Sequence, residues 1–189
     1  MGNLDSQTST MLALVVVLVL VALAAWYFFQ KKQSDRLQQR FGPEYARTVD
    51  QLGSRAKAES ELKAREARVG KLTIVPLSPS DAARFSQAWA NLQAGFIDNP
   101  QGVVAQADVL VRELMAARGY PVADFEHRAG DISVGHPAVV ENYRAAQFIA
   151  ARDTRGQATT EELRNAVVHY RVLFNELLEV RNDVPPVAG

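Results

Sequence analysis

Residues 11–29 read MLALVVVLVLVALAAWYFF, nineteen positions without a charge and with hydrogen-bonding side chains only at Trp26 and Tyr27. As a helix rising 1.5 Å per residue, this run covers about 29 Å, close to the hydrocarbon thickness of a bilayer. Its five Leu, five Val and two Phe favour insertion by about −4 to −7 kcal/mol. The reading is a transmembrane helix over 11–29, preceded by a short N-terminal tail over 1–10.

A cleaved signal peptide is the competing reading of an apolar run near an N-terminus. Such peptides carry positive charge before the run and small residues after it. Here residues 1–10 hold Asp5 and no Lys or Arg, and the run closes on Trp26, Tyr27, Phe28 and Phe29. Those rings suit the headgroup level, and Lys31, Lys32, Arg36 and Arg40 follow them. Trp26, Tyr27, Lys31, Lys32, Arg36 and Arg40 are therefore the candidate membrane-interface residues. With the basic residues after the helix, the positive-inside rule places the N-terminus outside and the C-terminal part in the cytoplasm. The alternative is an extracytoplasmic C-terminal part. The run contains no GxxxG, so it gives no support for specific helix pairing.

The 189-residue chain has 21 basic and 21 acidic residues, which hides a division of charge. Residues 31–72 carry eleven Lys and Arg against six acids, and residues 73–189 carry ten against fourteen. The basic region alternates with Glu and adjoins the bilayer, so anionic lipid is its nearer partner and nucleic acid is not expected. Cysteine is absent, which excludes disulfides, iron–sulfur ligation and thiol nucleophiles.

Residues 43–69 read as one long charged helix, opened by Pro43 after Gly42 and stopped by Gly70. Tyr45, Val49, Leu52 and Ala56 begin an apolar stripe that fades into AESELKAREARV, where Glu59 with Lys63 and Glu61 with Arg65 give i,i+4 support. This is the pattern of a stalk, and with the extended LTIVPL at 72–77 it makes residues 30–77 a basic juxtamembrane stalk and linker.

From Ser78 onward helix signals repeat. Ser78 and Pro79 open a helix with Phe85, Trp89, Leu92 and Phe96 on one face. Asn99 and Pro100 open another, with Val103, Ala107, Leu110 and Leu114 inward, ended by Gly119. A short segment follows from Tyr120 to about Ala129. His136 and Pro137 start a helix carrying Val139, Val140, Tyr143, Ala146 and Ile149, up to Gly156. Thr159 and Glu162 form a capping box before Leu163, Val167, Tyr170, Phe174 and Leu177. Strand and hairpin signals are missing. The expected fold is all-α: a transmembrane helix, a stalk helix, and a helical head over 78–181 of four main helices plus a short one, with a flexible tail over 182–189.

Motifs for chemistry are sparse. GxxxxGK followed by Ser or Thr, GxGxxG, GxSxG and HExxH do not occur. The densest polar stretch holds Asp124, Glu126, His127, Arg128, Asp131 and His136. Asp124 and His127 share a helix face with Asp131 one turn on, a candidate metal set; the same residues also serve as caps and turn formers between helices. His169 reads as a surface or satisfied core histidine. Trp89, Tyr143, Tyr170 and Phe174, at helical spacing, read as core.

The segment RFGPEY at 40–45 with Thr48 and Val49, REARV at 65–69, Pro76 and Leu77, GYP at 119–121 with DFE at 124–126, HPAVVENYRAA at 136–146 and EELRNAVVHYRVLFNELL at 161–178 together resemble an uncharacterised bacterial family of small single-pass membrane-anchored proteins. The resemblance covers most of residues 40–178. It implies a membrane anchor with an α-helical domain and carries over no active site; some of its members are described as secreted. The functional expectation is a membrane-tethered helical interaction or scaffold module that binds a protein partner or itself, with no cofactor and no reaction of its own. The alternative is a ligand- or metal-binding helical domain centred on residues 119–144.

Overall fold

A computed structural model describes residues 2–121 and 123–178; for residues 2–10 and Ala13 only the backbone is described. The tail expected over 182–189 lies outside the described residues. Eight α-helices and no β-strand occur among them. The chain divides into two compact units, Met1–Arg40 and Phe41–Gly189.

The first unit is helix α1, Gly2–Phe41, apart from its last residue. It runs unbroken through the apolar segment and beyond it at both ends, so residues expected as an N-terminal tail are helical from Gly2. From Leu14 the helix is long and apolar enough to cross a membrane. Its large apolar side chains between Met11 and Phe29 stand 50 to 74% exposed.

The second unit begins where Gly42 takes φ 50°, a conformation that costs glycine little, and α2 (Pro43–Leu52) follows. The single stalk helix expected over 43–69 is two helices. Gly53 closes α2 in the left-handed region at φ 62°, its N–H bonded to the Val49 carbonyl at 2.9 Å. Ser54 is extended and precedes α3 (Arg55–Val69). Gly after a helix and Ser before the next are a stop and a start in sequence order. The two helices contact each other, and both contact the helices that follow. The expected boundary between stalk and head at residue 78 is therefore not where the chain divides.

The bundle is made of α4 (Pro79–Ala94), α5 (Pro100–Ala117), α6 (Phe125–Gly135), α7 (Val140–Asp153) and α8 (Thr160–Leu177). Four of the five start on a side-chain cap. Ser78, Asn99, Asp124 and Thr159 each accept from a backbone N–H three residues on, and Thr159 with Glu162 completes the capping box. The short helix runs later than expected because Asp124, not Tyr120, caps it. Residues 137–139 are a turn, so α7 begins at Val140 rather than at Pro137, and His136 closes α6 instead.

Helix α8 packs against both α5 and α7, and its Leu163, Val167, Tyr170, Phe174 and Leu177 are buried as its spacing predicts. Trp89 stacks on Phe174 with ring centroids 4.6 Å apart. Tyr143 and Tyr170 are wholly buried. One continuous apolar cluster runs from Leu77 through these helices to Leu177; Tyr45, Ala58 and Leu62 of the α2–α3 hairpin are buried but fall outside it.

Candidate functional site

Ion pairs join the hairpin to the bundle. Glu44 lies in the first turn of α2, and its side chain is wholly closed to solvent. Two guanidinium groups meet it. Arg65 of α3 donates from Nη1 at 3.0 Å. Arg144 of α7 donates from Nη2 to Oε1 at 2.7 Å and from Nε to Oε2 at 3.1 Å, the two-pronged geometry that suits a carboxylate. Each arginine has a second carboxylate toward the surface. Arg144 Nη1 donates to Glu126 of α6 at 2.8 Å, and Arg65 Nε to Glu61 at 3.0 Å. Five side chains from α2, α3, α6 and α7 thus form one network.

Burial alone would lower the pKa of the Arg144 guanidinium, but the hydrogen bonds to Glu44 and Glu126 outweigh it and hold it above its ordinary value. Gly130 of α6 gives Arg65 its space: a Cβ there would stand 3.3 Å from Arg65 Nε. A second pair of the same kind lies nearby in the chain. Arg68 reaches the buried Asp131 of α6 at 2.9 Å. Within the hairpin, Tyr45 donates its hydroxyl to Glu59 at 2.9 Å, and Arg55 Nε donates to the same hydroxyl.

The bundle holds another polar cluster. Tyr170 donates to Asp108 at 3.2 Å, Gln147 donates to both, and Arg112 pairs with Asp108 at 3.0 Å. Burial raises the Tyr170 phenol far above its ordinary pKa, with Asp108 adding to it. Burial raises Tyr143 too, against the hydrogen bond it accepts from Arg128 Nε.

The candidate metal residues do not converge. Asp124 caps α6 and lies 2.6 Å from His127 Nδ1, both side chains exposed by more than 60%. The backbone N–H of His127, then its side chain, lowers the Asp124 pKa. Asp131 is elsewhere, buried against Arg68. Among the described residues no group of three His, Asp or Glu could hold a metal ion. His136 pairs with Glu176 at 2.9 Å, and His169 with Asn142 at 2.8 Å. The interface candidates Trp26, Tyr27, Lys31, Lys32, Arg36 and Arg40 all stand exposed on α1. A cleft of about 430 Å³ separates α4 and α5, floored by Leu92, Val103 and Leu110 and rimmed by Asn91, Gln106 and Glu113.

No family model, curated protein or solved structure matches the chain.

Glu44, Arg65 and Arg144 were not among the residues singled out by motif. Their signal is positional. Arg65 follows Leu62 by three residues on one helix face, and Arg144 stands between Tyr143 and Ala146 on the inward face of α7. A charge at a core-facing position requires a buried partner. The segments RFGPEY, REARV, DFE and HPAVVENYRAA supply all of the network except Glu61.

Proposed function

We propose that this protein is a membrane-tethered helical module that works by binding a protein partner or a second copy of itself. The observation that carries the tether is the charge-free run between Met11 and Phe29, whose large apolar side chains all face outward on α1. Apolar surface on every side of a helix is the pattern of a membrane span. The basic residues after the run support a topology with the N-terminus outside and the second unit in the cytoplasm.

Two features favour interaction over chemistry. Buried Glu44, Arg65 and Arg144 are engaged with one another, and buried Asp131 with Arg68, a use that fixes helices in place. The bundle surface carries Ile97 at 91% and Phe148 at 64% exposure, apolar side chains of the kind that contacts between proteins cover.

Alkaline carbonate extraction of membranes tests the tether: the chain is expected in the pellet, and release into the supernatant would overturn it. A reporter active only outside the cytoplasm, fused after Gly189, is expected to be silent; activity reverses the topology. A photo-crosslinking residue at Phe148 or Ile97 is expected to yield one discrete adduct in the native membrane. Its complete absence from both positions argues against an interaction surface there.

A further inference from the structure

We infer that the outward face of α7 is the docking site for a second copy of this chain, in an antiparallel helix pair centred on Phe148. The inference rests on the interaction reading above and names its partner and its surface.

The face is one stripe. Glu141, Ala145, Phe148, Arg152 and Arg155 follow one another at spacings of four, three, four and three. At 100° per residue they stay within a sector of about 80°. α7 ends at Asp153, but the Thr154 N–H bonds the Ala150 carbonyl at 3.2 Å and the Arg155 N–H bonds the Arg152 carbonyl at 3.1 Å. The winding therefore reaches Arg155 before Gly156 breaks it at φ 67°. Glu141, Phe148 and Arg155 are exposed, as is Ala151 on the flank, while Ala145 and Arg152 are half-buried. The small side chains of Ala145 and Ala151, one on each side of Phe148, let a facing helix come close and receive its ring.

Charge decides the occupant. Glu141 and Arg155 lie seven residues either side of Phe148, about 10.5 Å along the helix. A twofold axis through Phe148 sets each Glu141 opposite Arg155 of the second copy, and each Ala145 opposite Ala151. This reciprocal exchange is what an isologous interface requires. In a parallel pair, like charges would meet at both ends instead. The two charges are turned toward that use. Arg144, three residues from Glu141, points inward to Glu44 and Glu126. Arg152, three residues before Arg155, is held by Glu162 and the Gln157 carbonyl, with its guanidinium 6.0 Å from the Phe148 ring. Arg155 gives Nε to Gln157 at 3.2 Å, one of its five N–H donors. A face one helix wide is smaller than the roughly 800 Å² per partner of a standard interface, but copies tethered to one bilayer meet at a raised effective concentration and need less.

The chain has no cysteine, so an introduced thiol reports alone. The test mixes two populations of the full chain, Ala145→Cys and Ala151→Cys with different epitope tags, in phosphatidylcholine vesicles and reads the disulfide-linked dimer after oxidation. The 145–151 link is expected to exceed the link between Ala90→Cys chains, an exposed position on α4, by about tenfold. Glu141→Arg in both populations, or Arg155→Glu in both, should reduce it by about tenfold. Glu141→Arg in one population and Arg155→Glu in the other should restore it, because each substituted position then meets its opposite charge. Loss in both variants without rescue in the mixed pair overturns the pairing of 141 with 155, and a 145–145 link as strong as the 145–151 link overturns the antiparallel arrangement. No excess over the Ala90 link overturns the second copy as partner; a discrete adduct of another protein at Phe148 in the native membrane would then leave the interaction reading standing. No link, and no adduct at Phe148 or Ile97, overturns both.

Discussion

Arg144 of α7 grips Glu44 of α2 across a hundred residues of chain, with two hydrogen bonds of 2.7 and 3.1 Å in a place closed to solvent. The contact ties the start of the second unit to its middle. It also explains why a highly charged stretch folds back as a hairpin rather than standing free. Its Arg68 finds Asp131 in the bundle, and the bundle's Arg144 finds Glu44 in return.

Removing Glu44 should be costly in a way that a surface ion pair is not. Glu44→Ala leaves Arg65 and Arg144 facing each other in a buried space, and a loss of about 3–5 kcal/mol is expected in denaturant unfolding of the second unit. Replacing all three by apolar residues (Glu44→Leu, Arg65→Met, Arg144→Met) should recover most of it. A single-variant loss below about 1 kcal/mol would mean that the network is solvated.

The turn at Gly53 gives a second expectation. Gly53→Ala places a Cβ at φ 62° and should cost about 1–2 kcal/mol. Gly95→Ala, at φ −77° with only ordinary van der Waals neighbours, should be neutral or slightly stabilising. Equal effects at the two positions would show that left-handed backbone is not what the hairpin requires.

Acid should act on the helix starts. The Ser78 hydroxyl, then Arg84, lowers the Asp81 pKa; the His127 backbone N–H lowers Asp124; the Thr159 backbone N–H, then Arg152, lowers Glu162. A carboxyl lowered by folding contributes stability that is fully present above the ordinary carboxylate range. That contribution is lost as pH falls through the lowered folded value. Thermal unfolding followed from pH 6 downward should therefore weaken below about pH 4. Glu162→Gln should flatten that acid limb, and an unchanged slope would count against the capping-box carboxylate as its source.

Alkali should act through Tyr170. Its phenol is raised by burial and by Asp108, so the folded state holds its proton more tightly than the unfolded state does. Stability is then retained below the ordinary tyrosine range and lost as pH rises beyond about 10. In a spectrophotometric titration of the second unit within the full chain, Tyr170 should ionise only together with unfolding. The Tyr170→Phe variant should lose no tyrosinate signal before that transition, and should be less stable by about 1 kcal/mol at neutral pH.

What the sequence made legible was local. Ser78, Asn99 and Thr159 each stand beside the helix they start, so capping chemistry located α4, α5 and α8 within a residue or two. The inward stripes of those helices likewise needed only their own periodicity. The break at Gly53 was equally local, but the apolar stripe that ran across it and the i,i+4 charge pairs after it argued for continuity, and they were the weaker signal. The Glu44 network was not legible because its parts are paired by the fold. Nothing within ten residues of Arg144 in the sequence indicates that its partner is at position 44. Asp131 shows the reverse error: proximity in sequence grouped it with Asp124 and His127, whereas one more turn of α6 turned it inward to Arg68.

An oily seam and an ionic seam differ in what is left when they part. Apolar faces, once separated, shun water and seek any other apolar surface, so such a joint opens at the risk of aggregation. The ion pairs between the α2–α3 hairpin and the bundle are carboxylate and guanidinium, groups that water takes back readily. Were the hairpin to lift away, the ends of those ties would be hydrated and soluble, and they could re-form. The same chemistry that makes this join expensive to bury makes it reversible.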